Sequence, residues 1–285
     1  MILSFHPCFT ADRQIILGDR ALNDWDRLLI REAEVVLLSQ GCTRLLYEAC
    51  AGTSAHLFPN YDARFRFPGK VGQCRLFREV DFPHPASEAW SSSAEFRDYC
   101  TRSGCLPHAL PFLIKADASH EGAGIFLVQD APSLERALSR LDVLETSGSP
   151  GFVTQKVVAS EGNVLRAVIL GQEVITYWKR PGPGDDLITT VSRGARIDKT
   201  WRPDLQEKGK RAARAFGGRT GIDLAAVDFL FSFDHGDPEP LFLEVNYYFG
   251  RRGLGGSERY YRLLYGTIRA WLAEKGVDPD RVSLV

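Results

Sequence analysis

Apolar positions in this chain fall into short runs bounded by glycine, proline and polar residues, a pattern that predicts strands alternating with helices. In the first third, residues 1–5 read as an apolar strand. Residues 34–38 form a continuous apolar run of the buried-strand kind, and 43–51 follow Gly41 as a short helix. A further helix is expected over 72–79, stopped by the prolines of Asp81-Phe82-Pro83-His84-Pro85, which begin an extended segment. The middle third offers strands at 111–115 and 125–129. Between 133 and 144 a helix is expected, with Pro132 and Ser133 at its start and Leu134, Leu138 and Leu141 at core spacing; a strand follows over 152–158. Beyond it, Val164–Leu170 and Glu173–Arg180 face each other across a tight Gly171-Gln172 turn. A helix over 204–216 carries Pro203 in its first turn and Gly217-Gly218 after it. Two alternating strands, 227–233 and 240–247, then flank a turn-rich Asp-His-Gly-Asp-Pro-Glu-Pro connection, and an amphipathic helix over 257–275 closes the chain.

The N-terminal alternation predicts a small open α/β unit, and the 285 residues leave room for two or three subdomains around a well-buried core. With 44% hydrophobic and 25% charged residues the composition is globular. The net charge of -1 argues against nucleic acid or an acidic membrane as the main partner. The aromatic and basic stretch 58–70 reads better as a loop packed on its own core than as a nucleic-acid surface. No run approaches the roughly 20 apolar residues that span a bilayer, and the short apolar start is no signal peptide, so a cytoplasmic location is expected. Six cysteines without a C-x-x-C pair read as buried free thiols.

Chemistry concentrates in the last hairpin. If it is centred near Gly236, Asp228 lies opposite Glu244 and Asn246 projects from the same face two residues on. Two carboxylates and a carboxamide then converge. Such a cluster repels itself unless a cation sits between the oxygens, and hard donors suit Mg²⁺ or Mn²⁺. An ordinary strand acid beside a solvated edge would show the same residues. Phosphate-binding partners are present elsewhere. Lys70 precedes a helix, and Lys115 ends a strand before a small-residue loop with Gly122 and Gly124, whose backbone N–H groups can turn inward on an anion. That loop does not match the usual P-loop spacing, and an ordinary hairpin loop would look alike. Gln155, Lys156, Val157 and Val158 run into a polar loop with Glu161, a setting suited to reading an adenine edge. Arg166 and Arg180 interrupt or end apolar strands, where a guanidinium needs an anion or a carboxylate near it. Arg193 meets Gly194, and a glycine and arginine loop with Arg251 and Arg252 follows the hairpin.

In this order the series resembles the ATP-grasp superfamily, nearest to carboxylate–amine ligases of the ribosomal-protein glutamate ligase type. The likeness covers about residues 65 to 250, and its most specific part is the Asp228, Glu244 and Asn246 set. It implies an α/β and α+β architecture: an N-terminal open α/β pre-ATP domain over 1–92, a lid subdomain over 93–165 and a catalytic, metal-binding subdomain over 166–285, the last two clasping ATP. By resemblance, Lys70 and Lys115 contact ATP phosphates, Gln155, Lys156, Val157 and Val158 form the adenine-reading hinge, and Glu161 is left as the ribose ligand. Arg166, Arg180 and Arg193 serve as catalytic arginines, with Arg180 and Arg193 facing the phosphoryl-transfer zone, and Asp228, Glu244 and Asn246 hold Mg²⁺. The family's acidic residue two positions before the arginine is Val164 here, a threonine at Thr190 stands for its asparagine, and the lid is poor in glycine. The implied activity is an ATP- and Mg²⁺-dependent ligation of a small-molecule or peptide carboxylate to an amine through an acyl phosphate. A phosphotransferase on the same fold and a non-catalytic nucleotide-binding module are the alternatives, and a homodimer is allowed for. Asp228→Asn and Glu244→Gln are expected to abolish turnover with the fold intact.

Overall fold

Parallel strands buried on both faces are built from mostly apolar residues, and the two central strands of the first sheet follow that rule while its edges do not. In the computed structural model, which describes residues 1–117, 124–149, 151–182, 194–234 and 236–285, the chain opens with β1 (Ile2–Ser4), β2 (Phe9–Thr10), β3 (Arg13–Gln14), α1 (Asp24–Glu32), β4 (Val35–Leu37), α2 (Arg44–Ala51) and β5 (His56–Phe58). The sheet runs β3-β1-β4-β5, all parallel, with β1 and β4 fully buried. Helix α1 is set by a capping box between Asn23 and Asp26, a side-chain pair that the apolar pattern does not display.

After α3 (Asp62–Arg66) comes α4 (Gly69–Glu79). It begins three residues earlier than expected. Gly69 turns the chain at φ +68, where a Cβ would run into the Asp117 carboxylate, and Asp117 Oδ1 accepts the Val71 N–H at 2.7 Å, capping the first turn. Lys70 is therefore inside the helix's first turn rather than before it. Along its length α4 meets the edge of the last sheet: the Gln73 carboxamide both donates to the Val245 carbonyl and accepts the Val245 N–H, each at 2.8 Å.

The second sheet comprises β6 (Ser87–Trp90), β7 (Phe112–Ala116), β8 (Ile125–Val128) and β9 (Phe152–Lys156) in the order β6-β9-β7-β8, antiparallel, with α5 (Ser93–Ser103) and α6 (Ala131–Thr146) against it. Strand β6 precedes residue 93 yet pairs along β9 from Ser87↔Gln155 to Trp90↔Phe152. What recruits it is tertiary: the Trp90 indole N–H donates to Thr154 Oγ1 at 3.0 Å and its ring packs on Phe96. The expected adenine strand ends at Lys156, so Val157 and Val158 belong to the link that follows.

The third sheet runs β12-β11-β10-β13-β14, from β10 (Val164–Leu170), β11 (Glu173–Arg180), β12 (Arg196–Asp198), β13 (Leu224–Leu230) and β14 (Leu241–Asn246). One face, with Leu165, Ala167, Val227, Phe229 and Phe242, packs on α7 (Pro203–Thr220). The other, with Val168, Leu170, Leu224 and Ala226, packs on α8 (Ser257–Glu274), which shares a core with Ile2, Val35 and Phe58 of the first sheet. Short β15 (Ser283–Leu284) returns to pair with β2. Helix α7 does not stop at Gly217-Gly218 but runs to a left-handed Gly221, because Phe216 and Ile222 bury against the sheet and hold the last turn in place.

Asp223, between α7 and β13, accepts the Asn60 N–H at 2.8 Å and so ties the first unit to the third sheet. Burial pushes its carboxyl up to about 7. An acid whose folded value is raised binds its proton more tightly in the folded state, so stability is full below the unfolded value near 4 and is lost as pH rises through about 7. Asp223→Asn should remove that loss. Its melting temperature is expected to stay flat between pH 4 and 7 where that of the parent falls, a difference of roughly 2–4 kcal/mol at pH 7.5 by the pKa-to-energy conversion. Thermal melts across that range test it.

Candidate active site

Alternation fixes which side chains share a face, and on the α8 side of the third sheet it gathers charge. The register pairs Asp228 with Glu244 on β14 and with Arg166 on β10, as the hairpin reading requires, while Asn246 lies opposite Ala226. Asp228 is 2% exposed. Its carboxylate accepts Arg166 Nε at 2.8 Å and Nη2 at 2.7 Å, Lys179 Nζ at 2.9 Å and Asn246 Nδ2 at 3.3 Å. Burial opposes its ionisation, yet Arg166 and Lys179 hold its carboxyl down to about 2.

Two lysines add to this cluster, Lys115 from β7 and Lys70 from the first turn of α4. Lys115 is buried at the end of β7, where burial lowers its ammonium to about 8 against the pull of Glu244; its Nζ donates to Gln155 Oε1 at 2.5 Å. Burial also lowers Lys70, against Glu244 and Asp117. Glu244 therefore lies within electrostatic reach of Lys70 on α4 and Lys115 on β7, and of Arg166 and Lys179 on its own sheet. Positive charge exceeds negative here, an arrangement ready for an anion of several charges.

Gln155 donates to Ser87 Oγ at 2.9 Å, so it positions Lys115 rather than standing free for a ligand. Lys156 is exposed and its N–H is taken by the Ala86 carbonyl at 2.9 Å. Val157 and Val158 are half-buried and lead to Glu161, which is exposed and held at φ +50. Behind it Asn163 is buried, with Oδ1 lacking a hydrogen-bond partner among the described residues.

Arg180 is the sequence-derived residue that the sheet turns away. One position past Lys179, it points to the α7 face, where it lies over the Trp201 ring at 4.4 Å and pairs with Asp198 at 3.4 Å. Lys179 takes the place on the Asp228 face. The signal was available, since positions 175, 177 and 179 share one face of β11 by strict alternation. Arg193 lies outside the described residues. The glycine and arginine loop closes one side of the site: a Cβ at Gly253 would overlap the Tyr177 ring beside Arg166, and Arg251 stacks on Tyr260 and Tyr261 at 4.7 and 4.5 Å.

A family model described as a RimK-like ATP-grasp domain matches residues 95–263, more than half of the chain. The chain is 28% identical over 175 residues to a probable alpha-L-glutamate ligase of Picosynechococcus sp., covering 61% of this chain and 53% of that protein. With a probable alpha-L-glutamate ligase of Enterobacter sp. it shares 25% over 165 residues, 57% of this chain and 50% of the relative. The chain thus spans about half the length of these curated relatives. In three dimensions it is similar to a RimK domain protein ATP-grasp from Sphaerobacter thermophilus, with a TM-score of 0.57 at 14% identity over 92% of this chain and 97% of that one. At that identity the likeness concerns the fold, which is the ATP-grasp fold. The family model and the sheet architecture agree, and the chain belongs to the RimK-like ATP-grasp family.

Proposed function

We propose that the chain joins a carboxylate to an amine in a reaction driven by ATP and Mg²⁺ (or Mn²⁺), through an acyl phosphate. The observation that carries this reading is the charge gathered around Glu244, which is opposite Asp228 in register and within electrostatic reach of Lys70 on α4, Lys115 on β7, and Arg166 and Lys179 on its own sheet. Residues 1–92 and the loop with Arg251 and Arg252 would present the small-molecule or peptide substrates, 93–165 would cover the nucleotide, and 166–285 would carry the reaction. The match to proteins named probable alpha-L-glutamate ligase supports an amino-acid carboxylate or amine among the substrates. No helix among the described residues is long and apolar enough to cross a membrane.

The donor set bears on the metal. Glu244 and Asn246 supply hard oxygens on one face, and the Asn246 amide nitrogen is turned to Asp228, leaving its carbonyl oxygen as the atom for a hard cation. Asp228 is already engaged by cations. When bound, the ion would neutralise phosphate charge and orient the transferred group. The side chains would do the rest. Lys70 from α4 and Lys115 from β7 would neutralise the nucleotide's phosphates, and a bound phosphate would restore the full charge that burial has weakened in Lys115. Arg166 would act from the sheet. A substrate carboxylate oxygen then bonds to the γ-phosphorus as the bond to the ADP oxygen breaks. The amine nitrogen next bonds to the acyl carbon while the carbon–oxygen bond to phosphate breaks, phosphate departs with that electron pair, and the amine proton passes to solvent. Positioning and charge neutralisation suffice for the first half, and exclusion of water protects the acyl phosphate.

Hydroxylamine tests the reading. With ATP, Mg²⁺ and a panel of carboxylates and amino acids, hydroxamate should form together with ADP for at least one acid. ADP formation on a panel member without hydroxamate would replace the ligase by a phosphotransferase, and ATP binding without any ADP formation would leave a nucleotide-binding module.

A further inference from the structure

We propose that Arg166 and Lys179 together take the place of one divalent cation at Asp228, so that a single metal ion, on Glu244 and Asn246, accompanies the nucleotide. The inference rests on the ATP-dependent reading above and narrows it. An ionised carboxylate offers about four lone-pair directions. At Asp228 four donors converge unevenly: Arg166 Nε on Oδ1, and Arg166 Nη2, Lys179 Nζ and Asn246 Nδ2 all on Oδ2, so Oδ2 is crowded and the charge of the acid is matched by two cations. These are not surface contacts that exchange with water. Asp228 is 2% exposed and Lys179 6%, and a bidentate guanidinium beside a buried ammonium is the strong, short class of charge-assisted bond.

The charges agree with the geometry. Two fixed unit charges deliver to Asp228 what one divalent ion would, and they are attached to β10 and β11, which also carry the core. For a metal to enter the Asp228 sphere, it would have to share one carboxylate with a buried ammonium and a guanidinium, adding two positive charges where the acid is already matched, a costly step. Glu244 is one strand further out on β14, where the sheet ends, and is only half-buried. The two acids that sit opposite each other in register thus divide the work: Asp228 orders the protein's own cations, and Glu244 is left for the nucleotide's.

Counting Mn²⁺ by electron paramagnetic resonance decides it, with the chain saturated by a non-hydrolysable ATP analogue. One bound ion per chain is expected for the parent and for Lys179→Arg, which keeps the charge. Lys179→Met removes one of the three donors on Asp228 Oδ2 and one of its two compensating charges, and should admit a second ion. Two ions in the parent, or one in a folded Lys179→Met chain, would overturn the proposal. Should Lys179→Met fail to fold, the parent and Lys179→Arg counts still decide, since two ions in either is fatal. If the parent binds no nucleotide, the ATP-dependent reading falls, and this one with it; two ions on a nucleotide-bound parent sink this one alone.

Discussion

Asp228→Asn is expected to destabilise the chain by about 3–5 kcal/mol, the usual cost of removing one partner from a buried ion pair. The asparagine keeps the volume and one acceptor oxygen, so packing is preserved. The charge is not. Arg166 and Lys179 would remain within the sheet with their nearest counter-ion gone, and Glu244, already within reach of Lys70 and Lys115, cannot serve all four cations. For a chain of this size the loss corresponds to a fall in melting temperature on the order of 10 °C. The sequence alone suggested that this substitution would silence turnover and spare the fold; the ion pairs make stability the first casualty. A second variant separates charge from shape. Asp228→Leu combined with Arg166→Met and Lys179→Met removes the whole group, and apolar replacement of a buried ionic cluster is often neutral. It should recover most of the lost stability while remaining inactive. Equal destabilisation of the triple variant would show that packing, not unpaired charge, dominates.

Glu244→Gln should do the opposite, leaving the melting temperature close to that of the parent and lowering kcat/KM roughly 100- to 1000-fold, the range for loss of one preorganised electrostatic group. Glu244 is half-buried at the cleft, so neutralising it strands no charge in the core. Its removal does withdraw the anion that supports the lysine charges. The ammonium of Lys115, held at about 8, should therefore titrate lower in the variant, since losing a nearby anion favours the neutral amine. Steady-state kinetics and an NMR titration of the lysine side chains read the two effects separately. Unchanged kcat/KM would remove Glu244 from the reaction.

How far the sequence carried the structure depended on whether a signal was periodic. The opposition of Asp228 and Glu244 follows from period-two alternation across a turn, and the register bears it out. The limits of β10 and β11 were equally legible, because a glycine turn separates two apolar runs. Arg180 shows where reading stopped short. Treating it as the strand's last residue gave it a role by position, whereas its face is set by parity with Trp178, which is buried against α7. Strand β6 has little local signal at all. Its pairing with β9 depends on a tryptophan reaching a threonine 64 positions away. The N-terminus of α4 likewise depends on Asp117, just past the end of β7 and 46 positions from Val71. Contacts of that kind are invisible until the chain has folded.

One modest contact shapes the site from outside. Strand β14 is the last in its sheet, and a terminal strand ordinarily exposes a row of unsatisfied peptide groups and is free to slip. Here a glutamine imitates the missing neighbour. The Gln73 carboxamide offers Val245 the same donor and acceptor that another backbone would, and the Pro83 carbonyl does likewise for the Phe242 N–H at 2.7 Å. Val245 separates Glu244 from Asn246. A shift of one residue would swing both oxygen donors to the opposite side of the sheet, and this side-chain clasp locks the frame that keeps them together.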